Sequence, residues 1–88
     1  MSKKILIIED EKPIAHAMEL KLKKAGFDAQ IAINGEEAIK LLEEDNYDLA
    51  LLDLVMPKMD GFGVLEEVKK KKIKIKIMVT SNLSQSDD

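Results

Sequence analysis

The chain has 88 residues, 45 % hydrophobic and 35 % charged, which suits one small folded domain with a thin core. Its net charge of −3 and its lack of Arg weigh against nucleic-acid readout, and its lack of Cys excludes a disulfide framework, a thiolate metal site and a cysteine nucleophile. No apolar run nears the roughly 20 residues of a membrane helix or the roughly 7–15 of a signal peptide, so a cytoplasmic chain without membrane contact is expected.

Ile5-Leu6-Ile7-Ile8 is a wholly apolar, β-branched run, the pattern of a strand buried on both faces. Pro13 suits a first helical turn. Ile14, Ala17, Met18, Leu22 and Ala25 then recur at spacings of three and four, predicting an amphipathic helix that stops at Gly26. Ala29, Ile31 and Ile33 alternate with Gln30 and Ala32 as a second strand. Asn34 is placed to cap a second helix, with Glu37 completing a capping box and Ala38, Leu41 and Leu42 as the buried stripe.

A third strand is expected from Asp48 to Val55, and Pro57 with Asp60-Gly61 marks a loop. A third helix is expected from about Phe62 to Lys72, with Val64, Leu65 and Val68 inward and Glu66–Lys70 and Glu67–Lys71 as i,i+4 pairs. The fourth strand is expected from Ile73 to Thr80. Six Lys among residues 69–76 read as a solvated helix end running into that strand. Four strands separated by three helices predict an α/β fold with a parallel, doubly wound sheet.

In such sheets ligands bind beyond the carboxyl ends of the strands. Those ends carry Glu9 and Asp10, then Asp53, then Thr80-Ser81. Carboxylates converging on one rim repel each other and call for a cation between them, and oxygen ligands without His or Cys suit Mg²⁺. A carboxylate facing such a cation can act as a nucleophile toward a phosphoryl group. The Thr80 hydroxyl can donate to a phosphoryl oxygen, and backbone N–H groups such as those of Leu54 and Ser81 can cradle the rest. An acidic pair before a helix also serves as a dipole device, and a lone Thr is often an ordinary strand residue. Asp53 is harder to explain structurally, because it ends an apolar strand where carboxylates are rare unless paired or coordinated. His16 reads as exposed, and Met18, Met56, Met59 and Met78 read as packing residues.

Ile5-Leu6-Ile7-Ile8-Glu9-Asp10-Glu11, Leu51-Leu52-Asp53-Leu54-Val55-Met56-Pro57-Lys58-Met59-Asp60-Gly61 and Met78-Val79-Thr80-Ser81 together resemble the receiver domain of two-component response regulators. The resemblance spans essentially residues 1–88. It implies a flavodoxin-like (CheY-like) sheet, with Asp53 accepting a phosphoryl group from a partner histidine kinase or phosphotransfer protein. Glu9 and Asp10 match the acidic pair that holds Mg²⁺, with Asp53 and the backbone carbonyl of Val55 as further ligands. Thr80 matches the hydroxyl residue that engages the phosphoryl group, and Pro57 and Gly61 shape the adjoining loop. Such a domain signals and is not an enzyme in the ordinary sense.

The family's final strand carries a lysine that pairs with the phosphoryl group, and a last helix follows it. The sequence reads as the partial domain β1-α1-β2-α2-β3-α3-β4, because the lacking helix, strand and helix need on the order of 30–40 further residues. No lysine here takes that role. Strand four then becomes an edge, and self-association through its exposed side is expected. A binding-only alternative is a truncated or engineered receiver fragment that folds and self-associates without phosphotransfer. An aspartyl-phosphate hydrolase of the haloacid-dehalogenase type would need an Asp where Val55 stands. A flavodoxin's flavin phosphate would meet repulsion from Glu9-Asp10-Glu11.

Overall fold

The computed structural model describes residues 3–53 and 61–80. Its elements run β1 (Lys4–Ile8), α1 (Lys12–Lys24), β2 (Asp28–Ala32), α2 (Gly35–Glu44), β3 (Leu49–Asp53), α3 (Gly61–Lys70) and β4 (Ile77–Thr80). The strands form one parallel sheet in the order β2-β1-β3-β4. β1 is therefore central, and chain progression reverses on either side of it. The parallel, doubly wound α/β sheet expected from the alternation is present, and its strand order agrees with the CheY-like, flavodoxin-like sheet that the resemblance implies.

Strand pleating sorts the core into two layers. Leu6 and Ile8 of β1, with Ala50 and Leu52 of β3, point to the side covered by α2 and α3, where Ala38, Leu42, Val64 and Val68 meet them. Ile7 points to the other side and packs with Ala15 and Ala29, supported by Met18 and Leu22 of α1. Leu6, Ile7, Ile8 and Leu52 are the largest fully buried side chains. Each contributes on the order of 1.5–3 kcal/mol of burial.

Several local expectations shift by one to four residues. Ala15 is the buried position of α1, whereas Ala17 is exposed. β2 stops at Ala32, because Glu9 N–H closes the ladder on the Ala32 carbonyl at 3.0 Å, so Ile33 lies beyond the strand and is exposed. Asn34 caps α2 by accepting from Glu37 N–H at 2.7 Å. Glu37 reaches back one residue further than in the expected box, to Ile33 N–H at 2.9 Å. Lys71 pairs across the groove with Glu43 of α2 at 3.2 Å rather than with Glu67. β4 begins at Ile77 and not Ile73, although Ile73, Ile75 and Ile77 all pack on the larger core cluster. Met78, expected as a packing residue, is 53 % exposed among the described residues.

Two helix ends use the same device. After α1, Gly26 at φ 96° lets its N–H reach the Lys23 carbonyl and the Phe27 N–H reach that of Leu22. After α3, Lys72 at φ 56° does the same, with Lys72 N–H to Lys69 and Ile73 N–H to Val68. Both are Schellman closures, and the second places a β-carbon where glycine is preferred. The expected features at Leu54, Val55, Met56, Pro57, Met59, Asp60 and Ser81 lie outside the described residues. Among the described residues no helix is long and apolar enough to cross a membrane.

Candidate functional site

The carboxyl ends of β1, β3 and β4 meet at one rim, beside the point where strand order reverses. Such reversals open a crevice at the strand ends in parallel α/β sheets. Glu9 directly follows β1 and is held by its own N–H bond to β2; its side chain is only 4 % exposed. Glu9 Oε2 accepts the Glu11 N–H at 3.2 Å. Glu11 is the N-cap residue of α1, yet its side chain makes no capping bond, and no acidic residue lies in the helix's first turn. The dipole-device reading of Glu9-Asp10 finds support in this backbone contact.

Asp53 is the last residue of β3 and is 5 % exposed. Because Ala50 and Leu52 face α2 and α3, pleating turns Leu51 and Asp53 to the opposite side. Thr80 is the direct register partner of Asp53 in the β3–β4 pair. Its hydroxyl donates to the Leu52 carbonyl at 3.4 Å, so it is held beside the strand end that carries Asp53.

The electrostatics show which acids share this rim. Burial pushes the Glu9 carboxyl above the usual carboxylate range, and the charges of Asp53, Asp10 and Glu11 push it further, against a smaller opposing pull from the Glu11 N–H. The charges of Asp10, which follows Glu9, and of Asp53, at the end of β3, thus both bear on Glu9. The role of Glu11 as N-cap and fourth acid was missed, and the acidic run Glu9-Asp10-Glu11 was the signal for it.

Among the described residues no three acidic side chains stand in a cluster that could by itself hold a metal ion. Glu9 is turned to its own backbone. The donor set nonetheless fits Mg²⁺, which takes only one or two protein carboxylates and keeps several waters, and the crowded negative charge favours a hard cation. Asp10 and Asp53 are the acids whose charges reach Glu9 at this rim together with that of Glu11; Val55 lies outside the described residues.

The model of the response regulator receiver domain family matches residues 5–88. The receiver domain of Francisella response regulator 1452 superposes with a TM-score of 0.84 at 32 % identity, covering 97 % of this chain and 70 % of that one. The Thermotoga maritima response regulator TrrA, in a complex with Mg²⁺-BeF, superposes with a TM-score of 0.81 at 38 % identity, covering 97 % and 76 %. A complex of histidine kinase ThkA with TrrA gives 0.81 at 37 %, covering 98 % and 74 %.

Proposed function

The chain belongs to the response regulator receiver domain family, and on that footing we propose that Asp53 is its phosphoacceptor in two-component signalling. The observation that carries this reading is a buried carboxylate at the end of β3, in register with a hydroxyl residue and crowded by the acids after β1. The Asp53 carboxylate attacks the phosphorus of a phosphohistidine on a kinase or phosphotransfer protein. An acyl phosphate forms and the imidazole leaves. A bound Mg²⁺ would supply charge neutralisation here, held by Glu9, Asp10, Asp53 and the Val55 carbonyl. Thr80 turns its hydroxyl from the Leu52 carbonyl to a phosphoryl oxygen. The relatives support both parts of the reading, since one holds Mg²⁺-BeF and one is bound to a histidine kinase. The domain is a cytoplasmic signalling module.

Beryllofluoride, which mimics a phosphoryl group on a carboxylate, tests the site directly. With Mg²⁺ it should raise the melting temperature of the parent and leave Asp53→Asn unchanged; equal stabilisation of both would remove Asp53 from the role.

A second reading, a module that self-associates without phosphotransfer, is favoured by a separate observation. Met78 and Val79 of β4 are 53 % and 49 % exposed on opposite faces of a strand whose described partner is β3 alone. Self-association through this side is compatible with either activity.

A further inference from the structure

β2 lies at the side of the sheet away from β4. Among the described residues it pairs with β1 alone, and the family's further strand adds beyond β4, so the outer edge of β2 is one that the fold itself leaves outside. Asp28 N–H donates to the Lys3 carbonyl at 2.8 Å, and Glu9 N–H donates to the Ala32 carbonyl at 3.0 Å. Asp28 is in register with Lys4 and Ala32 with Ile8. This parity turns the backbone groups of Asp28, Gln30 and Ala32 toward β1, and those of Ala29 and Ile31 outward. The strand Asp28–Ala32 contains neither Lys nor Pro, the residues that commonly blunt an edge.

The edge matches itself about Gln30. Three residues to either side stand Phe27 and Ile33, 36 % and 40 % exposed. Phe27 gives its N–H to the Leu22 carbonyl and Ile33 gives its own to Glu37, so the outward ladder is confined to Ala29 and Ile31. The two ends differ in charge. α1 carries Lys21, Lys23 and Lys24 in its last turn, just before the strand, more charge than Asp28 cancels; α2 opens with Glu36 and Glu37 just after it. Two such edges laid parallel set like ends together. Laid antiparallel, the basic end of each comes beside the acidic end of the other.

We propose that two copies of this chain associate through β2, antiparallel about a two-fold axis at Gln30, so that the sheet continues from one copy into the other. In this register Ala29 of each copy lies opposite Ile31 of the other as a hydrogen-bonded pair, which uses the outward groups of both residues. Gln30 meets Gln30 across the axis as a non-hydrogen-bonded pair, with Cα atoms about 4.5 Å apart. Phe27 of each copy comes near Ile33 of the other, which covers the apolar residue exposed at each end. The ladder is short, so the dimer is of the weak, concentration-dependent kind. The inference rests neither on phosphate acceptance at Asp53 nor on contact through β4.

Sedimentation equilibrium of the 88-residue chain at low salt tests it. The parent should show a reversible monomer–dimer equilibrium. Gln30 is exposed and lies away from the acceptor rim, so its variants should stay folded by circular dichroism. Gln30→Lys and Gln30→Glu should each weaken dimerisation about fivefold by setting like charges across the axis. An equimolar mixture of the two should recover a heterodimer, because the pair at the axis becomes attractive. The chain has no cysteine of its own, so Gln30→Cys should yield a disulfide-linked dimer on mild oxidation, while Glu44→Cys, at the end of α2, should stay largely uncrosslinked. If one variant fails to fold, the remaining ones decide. A parent that stays monomeric at high concentration overturns the dimer, and one whose dimer is indifferent to both charge variants overturns the β2 arrangement. In either case Asp53 phosphorylation, read separately by mass, stands or falls by itself.

Discussion

Glu9 and Asp53 are the two buried charged residues of the described core, and burying a carboxylate is costly unless something compensates it. The sign of that cost is readable in solution. Glu9's carboxyl is raised in the folded state, chiefly by burial and then by Asp53, Asp10 and Glu11, so the native protein holds this proton to a higher pH than the unfolded chain does. Without Mg²⁺, stability should fall as pH rises from the ordinary glutamate value through the raised one. Denaturant melts across that window should show the decline in the parent and a flatter profile in Glu9→Gln. Mg²⁺ should stabilise the parent by binding the folded state, and Asp10→Ala should lose most of that increment in thermal melts; an unchanged response would remove Asp10 from the ligand set. Asp53 was legible in the sequence because a carboxylate ending an apolar strand lacks an easy structural reason. The bond from Glu11 N–H to Glu9 was not legible, since it depends on the rotation of one side chain within a tight strand–helix connection.

At the scale of elements, periodicity identified each strand and helix among the described residues, while partners set their ends. Ile73-Lys74-Ile75-Lys76 alternates as a strand should, yet β4 begins only at Ile77, where β3 offers Ala50 as a partner. Ile33 continues the alternation of β2 but falls after the ladder bond from Glu9 to Ala32. Lys72 shows a cost that sequence pattern conceals. It occupies a left-handed position at the end of α3 that Gly26 fills at the end of α1. Lys72→Gly should relieve on the order of 1 kcal/mol of backbone strain. For a domain of this size that corresponds to a melting temperature about 4–8 °C higher. A variant no more stable than the parent would show that Lys72's side chain offsets the strain.

The whole molecule is a parallel sheet with its thicker apolar layer under α2 and α3 and a thinner one under α1. That asymmetry leaves Leu6 wholly enclosed and Met78 half in solvent. Leu6→Ala should destabilise by about 2–5 kcal/mol, a large share of the roughly 5–15 kcal/mol typical of a domain, whereas Met78→Ala should change monomer stability little. Equal effects in denaturant titrations would contradict the division between core and open face. The sheet also brings acids from distant parts of the sequence to one rim, and the proposed signalling role rests on this convergence. Its most direct test is intact-protein mass spectrometry after incubation with a small-molecule phosphodonor and Mg²⁺. The parent should gain one phosphoryl group, in a Mg²⁺-dependent manner, and Asp53→Asn should gain none while remaining folded. An unmodified parent, or an adduct that survives Asp53→Asn, would contradict it.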